Sequence, residues 1–345
     1  MGAETELKLG LLPEYGPEVA GLPILEQYAK AEPECRQLDN TYFDTPDHAL
    51  TAARVALRIR RDGERYIQTL KTAGDGRGGL SVRGEWEWEL AEPVLELDKV
   101  RAHLPPQLND DALLTTLEPV FDTNFERHIW LLGGGEGAEA WQVEMALDRG
   151  EIRAGLQSTE LSELELELKS GPTEALFQLA LEIARQIPVQ VRDDSKAQRG
   201  YALAGLQRSP FRVELAFKGG EDQTLVELIS DCLKAWPAQL AKAIAGDDSA
   251  LQELNRTLDL MLVALESQPD IAAHCQVLIS QYQRLRADTG RAWDWRLLEM
   301  MPTQWRQKQH DQAAGLLQGL SRKTLPGQLA LATGELLWQI DDDED

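Results

Sequence analysis

Glu163-Leu164-Glu165-Leu166-Glu167-Leu168-Lys169 alternates ionised and aliphatic residues without a break. A helix would scatter those charges around its circumference. A β-strand, whose side chains point to opposite faces in turn, collects them on one face. The same period of two recurs at Glu4-Thr5-Glu6-Leu7-Lys8-Leu9, at Leu57-Arg58-Ile59-Arg60, and from Val82 to Leu90, where Arg83, Glu85, Glu87 and Glu89 alternate with Trp86 and Trp88. This texture predicts strands near 3–11, 37–45, 54–61, 64–73, 80–90, 120–132, 139–148 and 160–170, with a short further piece after an Arg149-Gly150 turn. Helices are predicted over Gly16–Ala31 and Thr173–Ile187; in the second, Leu176, Leu179, Ala180, Ile183, Ala184 and Ile187 form one apolar stripe. About eight mostly sequential strands with hairpin-length links predict an antiparallel sheet able to close into a barrel.

A small barrel ordinarily fills its interior with Val, Leu and Ile, yet here one face of strand after strand is charged. Two readings stand: a solvated outer face, or a polar lumen. Surface faces mix Lys, Glu, Thr, Ser and Gln, whereas in this chain acids cluster on some strands and arginines on others. The tryptophans lie on the alternate face, which suits a face covered by helices. A lumen is the better fit. Several carboxylates aimed at one volume repel one another unless a divalent cation neutralises them, and hard oxygen donors without His or Cys favour Mg²⁺ or Mn²⁺. Arg and Lys on other strands offer charge-assisted hydrogen bonds to phosphate oxygens. Acids opposite a basic wall suit phosphoryl chemistry.

The opening Glu4-Thr5-Glu6-Leu7-Lys8 resembles the Glu-x-Glu-x-Lys motif of the CYTH superfamily, the triphosphate tunnel metalloenzymes. An ordered series follows it. Asn40-Thr41-Tyr42-Phe43-Asp44-Thr45-Pro46, Leu57-Arg58-Ile59-Arg60 and Thr69-Leu70-Lys71 are similar to the second, third and fourth strands of that family. Arg83-Gly84-Glu85, Phe125-Glu126-Arg127, Glu163 to Leu168, and Ser195-Lys196-Ala197-Gln198-Arg199-Gly200-Tyr201 complete the resemblance, which covers roughly residues 1–206. The chain most resembles bacterial inorganic triphosphatases, with a CYTH domain ahead of a helical C-terminal region.

The resemblance implies an eight-stranded tunnel, fold class α+β, and metal ligation by Glu4, Glu6, Glu165 and Glu167, with Glu85 and Asp148 as weaker candidates for a second ion. It assigns triphosphate binding to Lys8, Arg58, Arg60, Lys71, Arg83, Arg127, Lys196 and Arg199. It further implies hydrolysis of tripolyphosphate to diphosphate and phosphate, with Glu6 or a neighbouring carboxylate orienting water and Lys8 or Arg58 assisting the departing oxygen. Thiamine triphosphate, a nucleoside triphosphate (including cyclisation of ATP) and polyphosphate capture without turnover are the rival readings. Several residues also have plainer roles available. Arg83 and Arg127 can pair with lumenal carboxylates, and Lys196 and Arg199 can cap the return of the chain to the barrel. Glu163 and Glu87 are expected to face solvent near a tunnel mouth, and Asp44 to make a turn with Thr45-Pro46.

The remaining features set bounds. The 345 residues suggest two domains, and the net charge of −23 disfavours general nucleic-acid binding. No apolar stretch approaches the roughly 18 residues of a membrane span. The charged N-terminus resembles no secretion signal, and the widely spaced Cys35, Cys232 and Cys275 form neither a disulfide framework nor a zinc motif. A cytoplasmic protein is expected. The division predicted is a tunnel domain over 1–206, a linker over 207–220, a helical domain over 221–340 and an acidic tail over 341–345. Helices are read at Thr224–Ala245, Ser249–Ser267, Asp270–Ala287 and Leu325–Ile340. The helical part resembles a short, diverged CHAD domain, with His274 and His310 as its histidines and Arg284, Arg286, Arg291, Trp293 and Trp295 as a candidate basic, aromatic surface. Gly74-Asp75-Gly76-Arg77-Gly78-Gly79 lacks the Lys-Ser/Thr ending of a P-loop and reads as a hairpin.

Overall fold

A computed structural model describes residues 3–77, 79–206, 224–267, 275–296 and 302–342. The predicted linker (207–220), His274 and residues 343–345 of the acidic tail lie outside the described residues. The chain divides into two compact units, one of Met1–Gly76, Leu80–Leu176 and Arg192–Pro210, the other of Arg77–Gly79, Phe177–Val191 and Phe211–Asp345.

The first unit is built on strands β1 (Ala3–Leu11), β2 (Glu34–Asp44), β3 (Ala56–Asp62), β4 (Arg65–Arg77), β5 (Leu80–Leu90), β6 (Glu118–Gly134), β7 (Trp141–Ala154) and β8 (Gln157–Ser170). They are hydrogen-bonded in the order β5-β4-β3-β2-β6-β7-β8-β1, and β1 pairs back onto β5, so the antiparallel sheet closes as the alternation predicts. Closure removes both sheet edges.

Helices α2 (Ala49–Ala52), α3 (Leu97–Arg101) and α4 (Asp111–Leu114) cover part of the outer face. Leu50, Val55, Leu57, Leu70, Val100, Leu104, Leu108 and Leu114 form a buried cluster there, with Trp86 and Trp88 packed against it. The indoles therefore lie on the covered face, and His103 stacks on Trp86 with 4.5 Å between ring centres. Asp44 accepts hydrogen bonds from the backbone N–H groups of Thr45, Leu50 and Thr51, which fixes the turn into α2.

After β8 and α5 (Glu174–Gln186), the chain reaches α6 (Lys196–Leu203), opened by a capping box between Ser195 and Gln198. Tyr201 of α6 joins Leu38, Tyr42, Phe121, Phe125, Ile152, Ala154 and Leu161 in a second apolar cluster. Gly200 makes this packing possible: a Cβ there would lie 2.1 Å from the Phe121 ring.

Local structure departs from the sequence reading in four places. The helix predicted over Gly16–Ala31 is instead a 3₁₀ segment, Pro13–Gly21, followed by α1 (Pro23–Tyr28), because Pro17 and Pro23 interrupt helical hydrogen bonding. Arg149-Gly150 is no turn, and no separate piece follows it. β7 runs through both residues, and Gly150 is required because a Cβ would meet the Asn124 carbonyl oxygen at 2.1 Å. β4 extends past the predicted end at residue 73 to Arg77, so the hairpin into β5 carries most of the glycine-rich stretch as strand. A whole helix, Thr303–Ser321, was not predicted.

The second unit contains α5 from Phe177 onward, the short β9 (Val189–Val191), α7 (Leu225–Ile244), α8 (Asp248–Ser267), α9 (Gln276–Arg296), α10 (Thr303–Ser321) and α11 (Leu325–Asp342). Some of its buried polar groups pair with one another, as in the 2.8 Å hydrogen bond between Tyr282 and Thr333. Arg286 donates to Asp259 at 2.7 Å, while Trp293 and Trp295 are half-buried. The stretch 270–274 of the helix predicted from Asp270 lies outside the described residues. No helix among the described residues is long and apolar enough to cross a membrane.

Candidate active site

The pleat of β1 buries Leu7 and Leu9 on one face and turns Glu4, Glu6 and Lys8 to the other. Register then sets their neighbours: Glu4 stands opposite Arg83 of β5, Glu6 opposite Glu167 of β8, and Lys8 opposite Glu165. Lys8 Nζ lies 3.0 Å from Glu6 Oε1, and both side chains are almost fully buried. Arg83 donates to Glu4 at 2.9 Å and also to Glu6. Lys71 bridges Glu4 at 2.9 Å and Glu85 at 3.0 Å. Burial alone would lower the Arg83 guanidinium, but Glu6 and Glu4 raise it above its ordinary value.

A second cluster joins β6, β7, β8 and α6. Arg127 reaches both Asp148 and Glu165, and Lys196 reaches Asp148 and Glu165 at 2.7 Å each. Lys196 and Arg199 both donate to Glu163. Glu163, expected to face solvent, has no exposure at all: α6 carries two cations onto it, and their charge offsets its desolvation. Burial pushes the Glu165 carboxyl up, yet Lys196, Arg127 and Lys8 hold it well below the usual carboxylate range. Lys196 and Arg127 also sit over the face of Phe125, at 5.2 and 5.5 Å from its centre.

The wall at β3 is different. Arg58 lies 3.9 and 4.0 Å from Glu85 and Glu87, the edge of ion-pairing range, and donates to the Tyr42 hydroxyl at 3.3 Å. Arg60 donates to Asn40 Oδ1 at 2.9 Å, and no carboxylate among the described residues pairs with it. Burial, with Arg58 and Arg127 close by, pulls the Arg60 guanidinium down to about 10. Burial would raise the Tyr42 phenol, but Arg58 outweighs it and brings the phenol below its ordinary value. Arg60 is thus the guanidinium of this wall that lies close to other cations without an ion pair among the described residues.

The acids separate into two kinds. Asp148, Glu163 and Glu165 bring their oxygens within 4.8 Å of one another, but Arg127, Lys196 and Arg199 already occupy them. Glu167, 2.7 Å from Lys169, is raised by burial and by the nearby charges of Glu4 and Glu144, in spite of Lys169. Like charges crowd at the Glu4–Glu167 end of the β1/β8 seam. An all-oxygen donor set in which carboxylates crowd one another, although Lys8, Lys71, Arg83 and Lys169 lie beside them, fits a hard divalent cation. Glu87 has a side chain 45 % exposed, as a position near the barrel mouth should.

Lumenal residues that escaped the sequence reading as site members include Asn40, Tyr42, Phe125 and Glu144, which stands opposite Glu167. Asn40 and Tyr42 share the face of β2 opposite Thr41 and Phe43, so the period of two would have found them; Phe125 is an aromatic on a face otherwise read for charge.

A family model described as the CYTH domain matches residues 2–201. The inorganic triphosphatase of Haemophilus influenzae is 34% identical over 204 residues, which span 59% of this chain and 56% of that protein. Two solved structures are similar over 58% of this chain: an adenylyl cyclase candidate from Hippeastrum reported to have a dominant triphosphatase activity (19% identity, 95% of that chain, TM-score 0.39), and an adenylate cyclase candidate from Bacillus halodurans (23% identity, 98% of that chain, TM-score 0.36). With the ordered motifs, the closed barrel and a match over more than half its length, the chain belongs to the CYTH family.

Proposed function

We propose that this protein hydrolyses inorganic tripolyphosphate to diphosphate and phosphate inside the barrel, with Mg²⁺ or Mn²⁺. The observation that carries this reading is Arg60, a lumenal guanidinium beside Arg58 and Arg127 that has no carboxylate partner among the described residues. An oligophosphate supplies the missing negative charge, and the bidentate geometry of guanidinium suits its oxygens. The 34% identity with the Haemophilus triphosphatase supports the same substrate class.

Glu4, Glu6 and Glu167 would hold the metal, and Glu165 completes the set the family resemblance implies; once bound, the ion offsets phosphate charge. Arg58, Arg60, Lys71 and Arg83 grip the phosphates and align the chain of anhydrides. Glu6 orients a water toward the terminal phosphorus and takes its proton. A new P–O bond forms as the anhydride P–O bond breaks. Lys8, beside Glu6, stabilises the departing diphosphate oxygen. Arg127, Lys196 and Arg199, tied to Asp148, Glu163 and Glu165, give this wall its rigidity and reach the substrate only by exchanging partners.

Phosphate release from tripolyphosphate, ATP and thiamine triphosphate, measured side by side with Mg²⁺ and then Mn²⁺, tests the proposal. Release from tripolyphosphate well above the others, lost in Glu6→Gln and Lys8→Ala, is expected. Faster release from an organic triphosphate moves the substrate; tight tripolyphosphate binding without release turns the barrel into a binding module.

A further inference from the structure

Cys35, Glu126 and His128 meet on the outer face of the barrel, away from the lumen. One ligand atom from each (Sγ, a carboxylate oxygen and a ring nitrogen) lies within 4.8 Å of the others. Backbone register brings them together: Cys35 of β2 stands directly opposite His128 of β6, and Gln37 opposite Glu126. Glu126 and His128 are two residues apart and share a face, while Arg127 between them points inward to Asp148.

His128 Nδ1 is closed off from water and makes no hydrogen bond; its nearest acid oxygen, Glu126 Oε1, is 3.5 Å away. The imidazole stacks on Trp130, which restrains its plane. Cys35 and Glu126 are exposed, so an ion has access from solvent. We propose that Cys35, Glu126 and His128 bind one Zn²⁺ ion, with water as the fourth ligand.

The donor set carries the choice of metal. Thiolate and imidazole favour a borderline-soft ion, and Mg²⁺ does not compete for sulfur. Zinc bond lengths place ligand atoms in a tetrahedron roughly 3.5 Å apart. The Glu126–His128 separation already has that value, and the sulfur of the exposed Cys35 lies within 4.8 Å of both partners' ligand atoms. Binding forms the S–Zn bond and releases the thiol proton to solvent. Two paired strands of a closed barrel hold the ligands, which gives the site a rigid base.

Cobalt(II) tests this independently of turnover, because a Co²⁺–thiolate bond absorbs strongly in the near ultraviolet and the lumen contains no cysteine. The full chain, reduced and stripped of metal, is titrated with Co²⁺ in millimolar Mg²⁺. The expected result is a charge-transfer band that saturates at one equivalent and is displaced by Zn²⁺. Cys35→Ser abolishes it, and His128→Ala and Glu126→Gln each weaken Co²⁺ binding by at least about tenfold. Far-ultraviolet circular dichroism of the variants checks that the barrel is intact. Absence of the band overturns the proposal. So does a band that survives Cys35→Ser, which would belong to Cys232 or Cys275, or a Co²⁺ affinity unchanged in His128→Ala, which would mean a lone thiolate.

Discussion

Arg127 holds Asp148 through two parallel hydrogen bonds, Nε to Oδ1 and Nη2 to Oδ2, both 2.6 Å, with the carboxylate fully buried. Lys196 reaches the same carboxylate from α6. Asp148→Asn leaves two buried cations short of charge, so it should destabilise the barrel by about 3 kcal/mol. Chemical denaturation of both proteins measures it, and an unchanged midpoint would remove Asp148 from the architecture.

Acid should expose the Glu165 linkage. Its carboxyl titrates in the folded barrel below the ordinary value of 4.5. A depressed folded value gives stability that is present above 4.5 and lost as pH falls through the folded value. Melting temperature followed from pH 7 to pH 3 should therefore drop more steeply in the wild type than in Glu165→Gln. Parallel curves would show that Glu165 does not carry the acid limb.

Arg60 should set function against stability. Arg60→Gln removes a crowded cation but keeps a donor for Asn40, so the melting temperature should hold or rise. The same change should raise the KM for tripolyphosphate at least about tenfold. A lower melting temperature with unchanged KM would place Arg60 outside the substrate site.

Divalent metal should stabilise the barrel by linkage. At about 100 times its dissociation constant, Mg²⁺ or Mn²⁺ adds roughly 2.7 kcal/mol. Differential scanning calorimetry should detect it as a rise of several degrees. Glu4→Gln combined with Glu167→Gln relieves the crowded end of the seam, and the rise should largely vanish. An equal rise in both proteins would locate the metal elsewhere.

Gly200 tests the packing of α6. A methyl group there meets the Phe121 ring at 2.1 Å, and Phe121 is itself stacked on Tyr42. Gly200→Ala should destabilise by about 1–3 kcal/mol even though alanine favours helix. A stabilised variant would show that the ring yields freely.

Alternation fixed what could be read directly. A period of two decides which side chains share a face whatever the rest of the chain does, so the faces of Glu4, Glu6, Lys8, Arg58, Arg60, Arg83 and Glu165 are legible in the sequence. Proline and glycine were harder. Pro17 and Pro23 interrupt the helix predicted over Gly16–Ala31, and Gly150 reads as a turn because its reason, the Asn124 carbonyl of the adjoining strand, is distant in sequence. The helix Thr303–Ser321 has a weak apolar stripe, with Gln, Lys and His through its first half, and was invisible to periodicity.

The sequence by itself determined which segments form strands and which face of each carries ionised groups, because strand pleating is local. Only the tertiary structure decided what each ionised group does there. Strand tilt and register in a closed barrel bring together residues from strands far apart in the chain. That is why Glu163 lies buried under Lys196 and Arg199, why Asp148 belongs to Arg127, and why Arg60 pairs with Asn40 and with no carboxylate among the described residues. The same register, on the other face, sets Cys35 against His128.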